Sequence, residues 1–411
     1  EHQVGAISRV KQGEQLRLAV FSGNYNNLRD GANRALNRLV GYMLDMGADV
    51  KVFSPTIGKP AFAPVGELYS LPSIPFPGRG EYRLAYRYGA QTFGVLKDFD
   101  PHLVHLSAPD IIYHKAKAFA KKLNRPVVAS YHTAFEAYLK YYDISWLEPL
   151  TNMIYRSFYN GCDQVYVPSS AVAAHLKHHG VVTPILPWSR GINCDVFAPN
   201  KHSPAWRIAH GISRHVPIIL FVGRLVKEKG LALMAETMAQ LKTHDTAFQL
   251  VIAGAGPEHD WVREHLPDAK MLGHLEREQL SAAYANADIF FNPSETETFG
   301  NVTLEAMASG LACVCSKAGG TTDLVIDGQT GVLVAPGAAS AHAAALTTLL
   351  EEPALRESYG TKSRQMSLER SWNAVMDELL GHYETLLKHW YPKAQFAMGR
   401  LSAEQETRVR A

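Results

Sequence analysis

Two acidic side chains, Glu297 and Glu305, lie eight positions apart around the segment Phe299-Gly300-Asn301. If a helix begins just after Gly300, Glu305 lies about one turn into it, and the first amide groups of that helix can bind an anion or hydroxyl groups. The immediate neighbours of Glu305 are apolar, which argues against an ordinary surface acid. The spacing therefore predicts that both carboxylates line one polar cleft.

A pair of cations, Arg224 and Lys229, follows a continuous apolar run that ends in Gly223. The apolar run predicts a buried strand, and the residues after Lys229 have helical spacing. Two cations beside the start of a helix suit a diphosphate, because cationic side chains and helix amides both favour negative charge. The alternative is a surface turn with solvated cations, and the strand context favours the phosphate site.

Three other segments also follow predicted strands. Gly254 and Gly256 would let a ligand approach the backbone closely, but the third glycine of a dinucleotide fingerprint is missing, and Pro257 is expected to start a helix instead. His132 ends a strand in the first half of the chain, and Gly31 ends the loop after the first strand. Ligands of open parallel sheets bind at the carboxyl ends of strands, so these residues should face a common cleft. The alternatives are a plain tight turn and a structural histidine.

Two groups of potential metal ligands have simpler interpretations. Asp98 and Asp100 match an Asp-x-Asp motif, but they precede a strand and predict a solvated turn. His175, His178 and His179 have helical spacing and predict a helix C-terminus, where positive charge is favoured. Neither a metal nor another cofactor is expected.

The elements that would position these residues alternate between strand and helix in two successive series. Strands are expected at residues 16–22, 49–54, 103–106, 126–131, 163–168, 216–223, 248–253, 288–291, 311–315 and 331–334. Helices are expected at residues 31–46, 111–123, 169–179, 231–242 and 302–309. This alternation predicts an α/β protein with two doubly wound parallel sheets, each covered by helices on both faces.

A polar stretch rich in proline and asparagine, near residues 192–204, predicts the boundary between the two sheets. The domains expected are an N-terminal one at residues 1–195 and a C-terminal one at residues 196–370. Residues 54–82 are rich in proline and glycine and predict an irregular connection. Residues 371–411 predict a helix to about residue 391, followed by a polar tail.

The composition of the 411 residues, 46% hydrophobic and 19% charged, excludes disordered and fibrous classes. A net charge of only +2 argues against a nucleic-acid binder, yet residues 1–190 carry +7 and the remainder −5. The basic half indicates an anionic partner. The four cysteines are too few for a disulfide framework, and neither a signal peptide nor a membrane-spanning apolar run is recognisable. These features predict a cytoplasmic setting.

Taken together, the motifs resemble retaining glycosyltransferases of family 4, whose GT-B fold places two Rossmann-like domains across a cleft. The resemblance also implies that the final helix, from residue 371, crosses back to the N-terminal domain. The most specific match is the family's Glu-x7-Glu motif, at Glu297 and Glu305 within residues 292–310. Asn193 stands where the family commonly has aspartate. The other matching segments are the diphosphate clamp at Arg224 and Lys229, the glycine-rich loop at residues 319–331 and the linker signature at residues 188–199.

The resemblance implies a role for each residue. Glu305 would bind the ribose hydroxyls of a nucleotide sugar, and Glu297, with the amides of Phe299 and Gly300, would hold the donor sugar. The expected catalytic set is His132, which would contact the donor sugar, Glu297, and Arg224 and Lys229, which would neutralise the leaving diphosphate. The remaining expected donor-binding residues are Gly31, Gly223, Gly254, Gly273, Leu275 and Asn301, of which Gly273 and Leu275 would lie beside the nucleobase.

The family also implies the reaction. The leaving phosphate would help to deprotonate the acceptor in a front-side displacement that retains anomeric configuration. Breaking the sugar–phosphate bond builds negative charge on the diphosphate, and fixed cations and helix amides can stabilise that charge without a metal.

Residues 75–84 and 130–133 are similar to those of bacterial and plastid lipid glycosyltransferases, including sulfoquinovosyl-, mannosyl- and glucuronosyltransferases. This resemblance implies transfer of a hexosyl or hexuronosyl group, with a UDP-sugar expected as donor, to a lipid or glycolipid acceptor. GDP-mannose-dependent α-mannosyl transfer to a glycan or lipid stays open as an alternative.

Basic residues in the first half predict peripheral association with an anionic membrane, at its inner face. They are Arg29, Arg34 and Arg38 at helical spacing and the run Lys115, Lys117, Lys121 and Lys122. The alternative is a solvated helix face.

Two other classes of protein stay open. The glycines at 254 and 256 leave an NAD-dependent oxidoreductase as an alternative, although no ribose-binding acid follows at the usual spacing of about 20 residues. A non-catalytic protein that closes around a nucleotide sugar is the other.

Overall fold

The computed structural model describes residues 13–28, 31–76, 79–87, 89–107, 111–132, 146, 148–244 and 246–396. Arg29 and Thr133, which the sequence singles out, lie outside these ranges. Two parallel sheets with interleaved helices confirm the predicted α/β class with two doubly wound sheets.

The first sheet has seven parallel strands in the order β3-β2-β1-β6-β7-β8-β9, and β4 and β5 form a separate antiparallel hairpin. The strands are β1 (Arg17–Phe21), β2 (Asp49–Ser54), β3 (Glu67–Ser70), β4 (Ser73–Phe76), β5 (Arg79–Ala85), β6 (Leu103–Leu106), β7 (Val127–Ser130), β8 (Gln164–Val167) and β9 (Ile185–Pro187). The helices are α1 (Gly31–Asp45), α2 (Ala90–Phe99), α3 (Ile111–Lys122), α4 (Glu148–Tyr159) and α5 (Ser170–His178).

The second sheet has six parallel strands in the order β12-β11-β10-β13-β14-β15. They are β10 (Ile218–Val222), β11 (Gln249–Ala253), β12 (Lys270–Gly273), β13 (Ile289–Asn292), β14 (Ala312–Ser316) and β15 (Gly331–Val334). The helices are α6 (Pro204–Ala209), α7 (Leu231–Leu241), α8 (His259–His265), α9 (Arg277–Asn286), α10 (Asn301–Ala308), α11 (Ala339–Glu351) and α12 (Pro353–Leu368), and the long helix α13 (Trp372–Trp390) follows.

Each sheet has a point where the strand order reverses, and these points fix where the sites lie. In the first sheet it lies between β1 and β6, and in the second between β10 and β13. Central strands such as β10 are apolar throughout because both faces of the sheet are covered. Loops that leave the carboxyl ends at a reversal diverge to opposite faces and open a crevice for ligands.

Helix α13 packs its apolar face into the core of the first sheet, where Met376, Leu379 and Tyr383 join Leu18 and Val20. Its first turn is capped by Ser371, whose hydroxyl accepts a hydrogen bond from the amide of residue 374. The chain thus returns to the first sheet after it has completed the second.

The two connections between the sheets run side by side. The amide of Ile192 donates to the carbonyl of Arg370, and Ile192 also pairs with Ser371 in a parallel bridge. A Cβ on Gly191 would lie 2.5 Å from the Cα of Trp372. The close approach of these two backbones therefore requires glycine at position 191.

Several expectations need correction. Residues 54–82 are not wholly irregular: they contain the edge strand β3, the strand β4 and the start of β5. Pro75 is tolerated in β4 because that strand pairs with β5 on one side only. Helix α8 begins at His259 rather than at Pro257. Lys117 does not belong to a solvated face, because its ammonium is buried and donates to the carbonyl of Phe158 at 3.1 Å.

Among the described residues, no helix combines the length and the apolar character that crossing a membrane requires.

Candidate active site

The crevice of the second sheet begins where β10 ends. Gly223 and the exposed Arg224 follow that strand directly, and Gly254 follows the neighbouring β11. Gly254 has a φ of +156°, and a Cβ there would lie 1.8 Å from the carbonyl oxygen of Gly223. The two loops therefore pack backbone against backbone, and the amide of Gly254 donates to the carbonyl of Gly273 at 2.8 Å.

Lys229 lies in a short 3-10 turn before α7 and reaches across the crevice to the loop after β13. Its ammonium donates to Glu297 Oε1 at 2.7 Å. Both side chains are largely shielded from water, with 26% and 11% of their areas exposed. The structure thus brings together Lys229, which is predicted to bind a diphosphate, and Glu297, which is predicted to bind a sugar. The pair places a positive ammonium beside a carboxylate that can accept hydrogen bonds, at one point of the crevice.

The loop that carries Glu297 ends in the N-terminus of α10. Phe299 is buried in the core, Gly300 caps the helix with a φ of +100°, and Asn301 is its exposed first residue. Because the first amides of a helix have no partner within the helix, they present hydrogen-bond donors and a partial positive charge to the crevice.

Glu305 lies one turn into α10, as predicted, and its carboxylate faces the interior. The hydroxyl of Tyr284, in α9, lies 3.0 Å from Glu305 Oε2. Burial raises the pKa of Glu305 to about 7, although Tyr284, Arg34 and Arg277 oppose this shift. A carboxylate has about four acceptor positions, so donation from Tyr284 leaves capacity for hydroxyl groups of a ligand.

Arginines from both halves of the chain lie near this carboxylate. Arg34 in α1 and Arg277 at the start of α9 both act electrostatically on Glu305. The half-buried guanidinium of Arg38 lies 4.8 Å from the ring centre of Trp372, and burial with Arg277 and Arg34 lowers its pKa to about 10. Arg38 is therefore not on a solvated helix face, and with Arg34 it lies where the two sheets meet.

The first domain also reaches the crevice through Gly31, the first residue of α1. A Cβ on Gly31 would lie 2.5 Å from the side-chain nitrogen of Asn301, so the N-termini of α1 and α10 meet across the cleft. Gly273 ends β12, and Leu275 just beyond it packs at the edge of the core of the second sheet.

His132 follows β7 and belongs to a buried chain of hydrogen bonds. Its Nδ1 lies 2.9 Å from an Arg190 nitrogen, and its Nε2 lies 2.8 Å from the hydroxyl of Ser130. That hydroxyl is 2.8 Å from Nε2 of His105, and Nδ1 of His105 contacts the hydroxyl of Tyr383 in α13. The chain of contacts joins the cleft to the returning helix.

Arg190 determines which atoms donate and which accept in this series of hydrogen bonds. A guanidinium only donates, so Nδ1 of His132 accepts and its Nε2–H donates to Ser130. Burial, with the nearby charge of Arg190, holds the pKa of His132 well below its usual range, so the ring is neutral. Both ring nitrogens are engaged within the protein, and the His132 carbonyl lies 3.4 Å from the hydroxyl of Thr298. The contact of His132 with a sugar stays a prediction.

The Asp-x-Asp turn and the histidine cluster, for which the sequence predicted no metal, lie away from the crevice. Arg125 binds both carboxylate oxygens of Asp100 at 2.9 Å, on the side of the first sheet opposite the cleft, so this turn is ion-paired rather than simply solvated. His175 and His178 lie in the last turn of α5, as expected. Within the described ranges, no three His, Cys, Asp or Glu side chains come close enough together to hold a metal ion.

Sequence reasoning did not identify Tyr284, Arg190 or Asp323 as site residues. Tyr284 could have been considered, because a tyrosine that is buried usually has a hydrogen-bond partner for its hydroxyl. Arg190 and Asp323 lie inside matching family segments, but their contacts join distant parts of the chain and could not be read from spacing.

Comparison with known proteins identifies the family. Residues 203–366 match the family model described as glycosyl transferases group 1, and residues 29–196 match that of glycosyltransferase family 4. The sulfoquinovosyl transferase SQD2 of Arabidopsis thaliana is 30% identical over 382 residues, which cover 90% of this chain and 74% of that protein. A GDP-mannose-dependent α-mannosyltransferase of Mycolicibacterium smegmatis is 31% identical over 378 residues, which cover 90% and 98%.

Solved structures with similar folds support the architecture. Sucrose-phosphate synthase from Thermosynechococcus elongatus has a TM-score of 0.73 at 22% identity, with 91% of this chain and 100% of that chain covered. HepE from Anabaena, solved in complex with UDP and glucose, has a TM-score of 0.68 at 16% identity, with 90% and 100% covered. The chain therefore belongs to glycosyltransferase family 4, and it is a glycosyltransferase with the GT-B fold.

Proposed function

We propose that this enzyme transfers a hexosyl or hexuronosyl group from a nucleotide sugar, with a UDP-sugar as the expected donor, to a lipid or glycolipid acceptor. The proposal includes retention of anomeric configuration and no requirement for a metal. The observation that carries it is the Lys229–Glu297 pair, which lies beside the N-terminus of α10.

The geometry supports a role for each group. Arg224, Lys229 and the amides of Phe299, Gly300 and Asn301 would bind the diphosphate, so that charge developing on it would meet fixed positive groups. Glu297 would accept hydrogen bonds from sugar hydroxyls.

The other groups would bind the rest of the donor. Glu305 would accept hydrogen bonds from the ribose, and Gly273 and Leu275 would flank the base. His132 would contact the sugar through its carbonyl, which has a lone pair left beside the hydroxyl of Thr298.

A GDP-mannose-dependent α-mannosyl transfer is the second candidate, favoured by the relative from Mycolicibacterium smegmatis that is 31% identical over nearly its whole length. The similarity to SQD2 and the UDP complex of HepE favour the first candidate.

A thermal-shift panel of UDP- and GDP-sugars, followed by transfer assays with membrane lipids and EDTA, tests the function. A ligand that binds only the folded state raises the apparent stability by about 2.7 kcal/mol at a hundred times its Kd. We expect one UDP-sugar to give the largest thermal shift and to be consumed in the transfer assay even when EDTA is present. The variant His132→Ala should transfer sugar from that donor more slowly. A larger shift with GDP-mannose would select the second candidate, and binding without consumption of any sugar would refute transfer.

We further propose peripheral association with anionic membranes at their inner face, in the cytoplasm, through the basic first half. Its support is the net charge of +7 over residues 1–190 together with the exposed side chains of Lys115, Lys121 and Lys122. Arg38 and Lys117 make contacts within the protein and are not part of this support. Co-sedimentation with vesicles should increase with phosphatidylglycerol content and decrease with salt. Binding that is indifferent to both would contradict the proposal.

A further inference from the structure

The first turn of α5 contacts the second domain through two consecutive serines. The hydroxyl of Ser169 donates to the carbonyl of Thr298 at 2.7 Å. The amide of Ser170 donates to Asp323 Oδ2 at 2.5 Å, and its hydroxyl contacts Oδ1 of the same carboxylate. Because the first amides of a helix lack partners and carry partial positive charge, a carboxylate is well placed there.

Asp323 ends a 3-10 turn that is locked to the loop carrying Glu297. The amide of Gly320, in that turn, donates to the carbonyl of Glu297 at 2.7 Å. A Cβ on Gly319 would lie 2.2 Å from the same carbonyl oxygen, so the turn and the loop are in backbone contact. Any shift of the turn must therefore move the backbone of Glu297 or break this hydrogen bond.

Thr298, the neighbour of Glu297, is held from the first domain at two points. Its carbonyl accepts from Ser169, and its hydroxyl lies 3.4 Å from the carbonyl of His132. The residue that follows Glu297 is thus held by contacts that exist only while the two domains are close together.

We propose that Asp323 is a positioning residue that latches the two domains through the N-terminus of α5, and that this latch places Glu297 for donor binding. The inference rests on the proposed function only for the role of Glu297. Opening of the cleft would release Ser170 from Asp323 and Ser169 from Thr298 together, so closure and the position of Glu297 are coupled.

Charge repulsion at the latch tests the proposal. Ser170→Asp places a second carboxylate beside Asp323, while aspartate remains favourable in the first turn of a helix, so α5 should still form. We expect a larger radius of gyration in small-angle X-ray scattering and a kcat/KM for sugar transfer lower by about tenfold, the effect of losing a charge-assisted hydrogen bond. Adding Asp323→Asn to this variant removes the repulsion and should restore both quantities.

Two further variants complete the design. Asp323→Ala should open the protein without introducing a charge. Asp327→Asn is the matched control, because its Oδ1 accepts from the amide of Leu333 within the second domain, and its radius of gyration should equal that of the wild type.

Wild-type radii for both Ser170→Asp and Asp323→Ala would overturn the latch, as would a loss of activity in Ser170→Asp that Asp323→Asn leaves unrepaired. If the wild type transfers no sugar, the proposed function fails, and the scattering comparison still decides whether the latch exists.

Discussion

Lys229→Ala should lower kcat for sugar transfer by about a hundredfold to a thousandfold, which is the usual effect of removing one group that stabilises developing negative charge. The substitution removes the ammonium from the crevice and leaves the largely buried Glu297 carboxylate without its cation. That uncompensated charge would also repel a diphosphate. Steady-state kinetics with the preferred donor measures the effect, which should appear in kcat more than in KM because the charge develops in the transition state.

The matched control is Lys227→Ala, which removes the same charge from an exposed position in the same 3-10 turn. It should leave kcat unchanged. The combination of Lys229→Ala with Glu297→Ala should cost less than the sum of the two single changes, since the partners contact each other. If both single variants keep full transfer activity, the assignment of the diphosphate and sugar sites is wrong.

Glu305→Gln should weaken donor binding by about tenfold to a hundredfold, while it stabilises the ligand-free protein at alkaline pH. A carboxylate accepts stronger hydrogen bonds from hydroxyl groups than an amide does. Because burial raises the pKa of Glu305 to about 7, affinity for the donor in the wild type should fall as the pH drops below 7. The variant should lose that pH dependence, which isothermal titration at several pH values measures.

The stability effect has the opposite direction. The folded-state pKa of Glu305 lies above the ordinary value of 4.5, so folding favours the protonated form. The contribution of this group to stability is full below pH 4.5 and is lost as the pH rises through about 7. Above pH 7 the variant should be more stable by up to about 3 kcal/mol. Thermal melts at pH 5 and pH 8 check this, with the exposed Glu236→Gln as control, and equal melting differences at both pH values would contradict it.

The sequence predicted the central strands well because burial on both faces makes them continuous apolar runs. The strand expected at residues 216–223 is β10 (Ile218–Val222), and the helix expected after Gly300 begins at Asn301. The strands β3, β4 and β5 were missed, because prolines and glycines dominate that segment and its pairing depends on neighbouring strands. The edge strand β12 was also missed, since edge strands are less apolar.

The same distinction holds for the site. Arg224, Lys229 and Glu297 could be proposed as site residues because they follow predicted strands, and the structure shows that Lys229 and Glu297 contact each other. The contacts that these side chains make could not be predicted from the sequence. Lys229 and Glu297 are 68 residues apart, Ser170 and Asp323 are 153 apart, and these contacts exist only after the sheets have packed. The apolar neighbours of Glu305 argue against a surface acid, but the rise of its pKa depends on burial that arises only when the elements pack.

The most direct test of the account is a single-turnover measurement with enzyme in excess over the preferred radiolabelled nucleotide sugar and with total membrane lipids as acceptor. The account predicts that the nucleotide sugar disappears, nucleoside diphosphate forms and label enters lipid at one common rate. That rate should fall at least about a hundredfold in Lys229→Ala. Tight binding of the nucleotide sugar with no transfer of its label, or an unchanged rate in Lys229→Ala, would contradict the account.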